Sequence, residues 1–198
     1  MKSLVEIKRD AKGIQLDSRS ASDFLSYFEF IKFFEEKDVI SKNDFVIGCN
    51  FSYGWMPTIL NFKNEKDEEI NLCVELVNKA RNSQELLRKE ELEILKKVVN
   101  NSIVGVSKLL HFVSPERYPI WDSRVANYFN IKMVNDVRRY CDYLNFCHSF
   151  NKHELEEVRQ IVCQHEKTFK DTSALRSLEF VFFSCGLDKS KIANNNPN

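Results

Sequence analysis

Residues 105 to 125 read Gly-Val-Ser-Lys-Leu-Leu-His-Phe-Val-Ser-Pro-Glu-Arg-Tyr-Pro-Ile-Trp-Asp-Ser-Arg-Val. The part around residues 107–112 is a short apolar helix. Residues 114–121, with two prolines, form a loop, and Asp122 is a helix N-cap before Ser123-Arg124-Val125. Lys108 and Asp122 then stand at the starts of two helices joined by a short loop, from which their side chains can converge on a cleft. A lysine whose pKa is lowered by burial and by the positive end of a helix is a nucleophilic amine. A nearby carboxylate can orient it, or stabilise positive charge developing on a sugar.

Outward from this stretch the chain reads as mostly helical. Phe24, Tyr27, Phe28, Ile31 and Phe34 recur at helical spacing after Ser22, an N-cap, and make an aromatic core face. Ile70, Cys73, Val74 and Val77 form one face of a charged helix; Leu92, Leu95, Val98 and Val99 do the same in a second, capped by Ser83. Three more helices follow over about 135–150, 153–169 and 173–185, with Gly186 as a C-terminal cap. Near the start, Leu4-Val5-Glu6-Ile7 and Ile14-Gln15-Leu16 flank Gly13 and suggest a short hairpin. The apolar stretch 44–51 reads as strand or buried loop, and Pro57 as the first-turn residue of a short helix. Residues 1–191 are expected to form a single compact unit, with two helical lobes as one arrangement, and residues 192–198 a disordered tail.

Composition limits the function classes. Lys and Arg together number 29, matched by 29 Asp and Glu, so the chain does not coat nucleic acid by bulk charge. No apolar run is long enough to span a bilayer, and the charged start MKSLVEIKRD lacks a signal-peptide core, so a cytoplasmic monomer away from membranes is the expectation. The six cysteines show no Cys-x-x-Cys spacing and are expected to stay reduced, several in the core. His111, His148, His153 and His165 make no ligand pattern, so neither metal nor cofactor is expected.

The residues 105–108 and 119–125 resemble the core of the helix-hairpin-helix DNA glycosylases, the superfamily of endonuclease III and 8-oxoguanine DNA glycosylase. There a Gly-Val-Gly hairpin leads into a helix with the catalytic lysine, and a Pro-Val-Asp-Thr-His-Val type motif supplies the catalytic aspartate. Lys108 falls at the Schiff-base nucleophile and Asp122 at the helix-capping carboxylate. The match covers about residues 100–130. Ser107 stands where a second glycine is the rule, the lysine comes one residue early, the Lys108 to Asp122 spacing is shorter, and Trp121 is inserted. The absence of four clustered C-terminal cysteines places the likeness on the cluster-free 8-oxoguanine branch.

The resemblance implies a helical fold with a cleft between two lobes, double-stranded DNA as partner, and excision of a flipped base. The damaged or modified base would be an oxidised purine or a phage-type modification. Attack by Lys108 would add lyase chemistry. Backbone N–H groups from Gly105 through Ser107 to Lys108 are candidates for a phosphate, as are Arg124, Arg138 and Arg139. Tyr53, Trp55 and Trp121 are candidates for stacking on the base. Taken singly, an Asp before a helix is usually a cap and a tryptophan usually core. The competing reading is a non-catalytic helical module, for DNA or protein, on the same scaffold.

Overall fold

The computed structural model describes residues 2–14, 20–56, 58–63 and 66–187, with side chains of 20–23 excepted. The expected tail, Pro57 and the far arm of the expected hairpin (Gln15 and Leu16) lie outside these residues. The described chain is helical. It runs α1 (Leu4–Lys12), α2 (Ser20–Glu35), α3 (Lys42–Gly54), α4 (Asp67–Asn82), α5 (Lys89–Val98), α6 (Ile103–Val113), α7 (Ser123–Tyr128), α8 (Val137–His148), α9 (Lys152–His165) and α10 (Ala174–Cys185), with a 3-10 turn at Lys167–Asp171. Among the described residues the nearest thing to a sheet is an isolated antiparallel bridge between Phe62 and Val99.

Two local expectations are corrected. The N-terminal segment is helix α1, not a hairpin. Ser3 and Glu6 form a reciprocal capping box, and Gly13 ends the helix with an ordinary φ of −96°. Four residues of alternation are too few to separate period 2 from period 3.6, and Ile7 and Ala11, four apart, are the ones buried. Residues 44–51 likewise belong to α3, where Ser41 and Asp44 make a second capping box and Phe45, Gly48, Cys49 and Ser52 turn inward. Val46 and Phe51 beside them are half-buried and Ile47 stays exposed, so the apolar run wraps around the helix instead of alternating across a strand. Ser22 falls inside α2, which already includes Ser20, and Ser83 is the C-cap of α4; α5 starts after Arg88, whose N–H is taken by Glu91.

The helices pack in two groups. Helix α6 is the hub of the first, with α2, α3, α4 and α5 around it, and α8 joins through α5. Helix α10 is the hub of the second, packed on α9, α7 and α1. The chain thus starts in the second group, builds the first through α6, crosses to α7, comes back for α8, and ends in the second with α9 and α10. Rings cross between them: Phe24 of α2 meets Phe169 edge-on, with centroids 5.0 Å apart. Among the described residues no disulfide is formed, and Cys49, Cys73 and Cys147 are buried. Among the described residues, no helix is long and apolar enough to cross a membrane.

Candidate active site

Helix α6 is capped by Ser102, whose Oγ accepts the Gly105 N–H at 3.2 Å. The turn before it is carried by Asn100 and Asn101, both left-handed, with φ of 57° and 50°. The turn into α6 is thus at Asn100–Asn101, Gly105–Ser107 are helical and form no hairpin, and Lys108 sits mid-helix. Gly105 and Ser107 are not available to a phosphate. The N–H of Gly105 is used by the cap. Ser107 Oγ lies 2.8 Å from Val104 O and 3.1 Å from Trp121 O, and accepts the Trp121 N–H at 3.0 Å. Both residues are buried, and Gly105 is where the Tyr53 ring rests.

Those bonds tie α6 to the segment just before α7, so the backbone beside Lys108 is fastened to the backbone beside Asp122. Asp122 accepts the N–H groups of Arg124 and Val125 at 2.9 and 3.0 Å, both on Oδ1. Lys108 is 9% exposed and its Nζ stands 5.9 Å from the centre of the Trp55 ring. Trp55, half-buried at the C-cap of α3, stacks on Tyr27 at 5.9 Å and meets Phe112 edge-on at 5.1 Å.

From the second group, α10 brings Arg176 to the same place. Its guanidinium carbon lies 5.3 Å from the Tyr27 ring centre and 6.0 Å from that of Trp55. It is ion-paired with Oε2 of Glu179, a carboxylate with no solvent exposure. One turn beyond Lys108, His111 is within 2.7 Å of the Tyr118 carbonyl through Nδ1 and 3.0 Å of Tyr27 Oη through Nε2. A carbonyl only accepts, so Nδ1 carries the proton and Tyr27 donates to Nε2. Burial, with the Arg176 charge beside it, pushes the His111 pKa down to about 3, against the Tyr118 hydrogen bond; the ring is neutral near pH 7. Burial raises the Tyr27 pKa strongly, opposed by Arg176.

Of the three aromatic candidates, Trp55 reaches this cluster and two do not. Trp121 is fully buried, its indole N–H bonded to Val134 O at 2.8 Å and its ring 5.1 Å from that of Tyr143. Tyr53 is buried with its Oη 3.4 Å from Val99 O. Both are core rings because their polar ends find backbone partners inside. The basic candidates lie on two helices: Arg124 covers the Phe183 ring at 4.4 Å, while Arg138 and Arg139 lie exposed on α8, with Arg139 3.9 Å from Asp142.

Sequence reading passed over Tyr27, His111, Arg176 and Glu179. The first was absorbed in a core stripe and the second in a failed metal pattern. Arg176 and Glu179 did leave a signal. They are two opposite charges three residues apart in ALRSLEFVFFSC, an otherwise largely apolar helix, where burial requires that they pair. No group of three or more His, Cys, Asp or Glu suited to a metal occurs among the described residues. Comparison of the chain with protein-family models, with curated proteins and with solved structures finds no match.

Proposed function

We propose that the protein is a DNA glycosylase that flips a damaged or modified base out of duplex DNA and excises it. The observation that supports this most directly is the placement of Lys108: an amine nearly withdrawn from water, over an aromatic ring, where the two helix groups meet. An amine beside an aromatic face can meet a ligand that stacks on that face. In this reading the Lys108 amine attacks the sugar C1′ as the glycosidic bond breaks. The bonding pair leaves with the base, which takes up a proton; the nitrogen gives up its protons, one of them to the ring oxygen, as the C1′–O4′ bond breaks with its pair on O4′ and the imine forms. Loss of a C2′ proton then expels the 3′ phosphate by β-elimination and nicks the strand. Asp122, through the carboxylate oxygen left over from capping α7, stabilises positive charge on the sugar.

The test is incubation with duplexes carrying single oxidised or phage-type modified bases, with borohydride trapping. Wild-type protein should yield a trapped covalent adduct. Lys108→Ala should abolish the adduct, and Asp122→Asn, which keeps an N-cap side chain, should slow excision by at least about 100-fold without unfolding the protein. Full activity in either variant would overturn its assigned role. The non-catalytic module finds support in Asp122, whose two cap bonds a passive scaffold would equally need. It requires DNA binding with no abasic site formed from any substrate.

A further inference from the structure

A connection between helices is ordinarily among the more mobile parts of a fold. The loop between α6 and α7 is instead tied down carbonyl by carbonyl. The carbonyls of residues 115, 117, 118 and 119 accept, in that order, from Ser173, the N-cap of α10, from His148 on α8, from His111 on α6 and from Tyr140 on α8, at 2.7 to 3.4 Å. The last tie is Ser107, one residue before Lys108. Its Oγ accepts the N–H of Trp121 at 3.0 Å and shares its single proton between the Trp121 carbonyl at 3.1 Å and Val104 O at 2.8 Å. Both backbone groups of the residue before Asp122 thus rest on one hydroxyl. Ser107 and Trp121 have no solvent exposure, so this hydroxyl is the partner those groups depend on.

We infer that Ser107 is a positioning residue for excision: through the Trp121 backbone it fixes where Asp122 stands relative to the helix that carries Lys108. The inference rests on the glycosylase reading, in which Asp122 stabilises charge on the sugar. Helix α7 packs on α10, in the second helix group, whereas α6 is the hub of the first. The two catalytic candidates therefore belong to different groups, and the Ser107–Trp121 bonds cross between them one residue away from each. The cap bonds from Asp122 to Arg124 and Val125 hold its carboxylate to α7 and leave open how α7 lies against α6. Asp122 is extended, with φ of −147° and ψ of −175°, so a shift of Trp121 is passed straight to it along the chain. Charge stabilisation depends on separation, and a misplacement of about 1 Å can cost about 100-fold in rate.

Single-turnover excision by the full chain, on duplexes carrying one oxidised or phage-type modified base, tests this. Ser107→Ala should slow base release at saturating DNA by at least about tenfold and leave DNA affinity within about twofold, a split that general loosening of the fold does not produce. Combined with Asp122→Asn, it should slow excision no further than Asp122→Asn alone, because a residue acting through the carboxylate then has nothing left to place. Ser107→Cys, with a weaker hydrogen-bonding group, should fall between wild type and Ser107→Ala, and serves if Ser107→Ala does not fold by circular dichroism. Without DNA, amide hydrogen exchange at Arg124 and Val125, whose N–H groups rest on Asp122, should quicken by at least about tenfold in the Ser107 variant while that of α4 does not. Additive losses, unchanged exchange, or wild-type excision rates in a folded Ser107 variant would overturn the inference and leave the glycosylase reading. No excision of any base by wild-type protein, with exchange still quickened in the variant, would sink that reading and leave Ser107 holding Asp122.

Discussion

A methyl group on Gly105 would lie 2.3 Å from Tyr53 Oη and 2.6 Å from two ring carbons. The glycine is there for the ring, with no left-handed backbone involved. Gly105→Ala should cost about 1–3 kcal/mol in urea unfolding, the usual penalty for overpacking. Ser107→Ala strands the buried Trp121 N–H, and a loss of about 1–3 kcal/mol is expected by the same measurement. His111 adds a pH dependence. Its unfolded pKa is 6.5 and its folded one about 3, so between them the unfolded chain binds more protons. Its contribution is complete above 6.5 and is lost as pH falls toward 3, by at most about 1.4 kcal/mol per pH unit. Urea midpoints measured between pH 7 and 4.5 should therefore fall more steeply for wild-type protein than for His111→Gln; parallel slopes would refute the assignment. Asp122 as a cap was readable from residue type and position, because capping is local. The pairing of Arg176 with Glu179 was only half readable: the spacing was visible, the apolar burial that makes it matter was not.

Among the elements, the α5–α6 turn and the end of α10 are the instructive ones. Asn100 and Asn101 hold consecutive left-handed conformations, which a side chain without a local hydrogen-bonding group tolerates poorly. Asn100→Ala and Asn101→Ala should each destabilise by about 1 kcal/mol, and the glycine replacements should not, as thermal unfolding will show. Gly186 was legible as a cap, yet its φ of −86° is one any residue adopts. What excludes a side chain is the Arg124 carbonyl, 1.8 Å from where a methyl would sit. That contact comes from α7, far away along the chain, so no local rule contains it. The misread segments fail for the complementary reason. In α1 and α3 the capping boxes Ser3/Glu6 and Ser41/Asp44 were present in the sequence, and short apolar runs outweighed them.

For the whole molecule, the proposed DNA binding combined with balanced charge predicts a light grip. If Arg124, Arg138 and Arg139 meet one phosphate each, log K against log salt should have a slope of about −2.7, a loss of roughly 40-fold between 50 and 200 mM. Binding titrations across that range check it; a slope beyond about −6 would mean a far larger basic surface than these three supply. The sequence by itself determined the helical class, the α6–loop–α7 segment with its Asp122 cap, and the last three helices, because periodicity and capping are properties of neighbours along the chain. Only the tertiary structure decided which groups share the candidate site. It set Lys108 beside Trp55, closed Tyr53 and Trp121 into the core, and set the α10 pair Arg176–Glu179 against Tyr27 of α2. A site assembled between two helix groups depends on how their apolar faces dock, and that docking is long-range packing with no counterpart in local spacing.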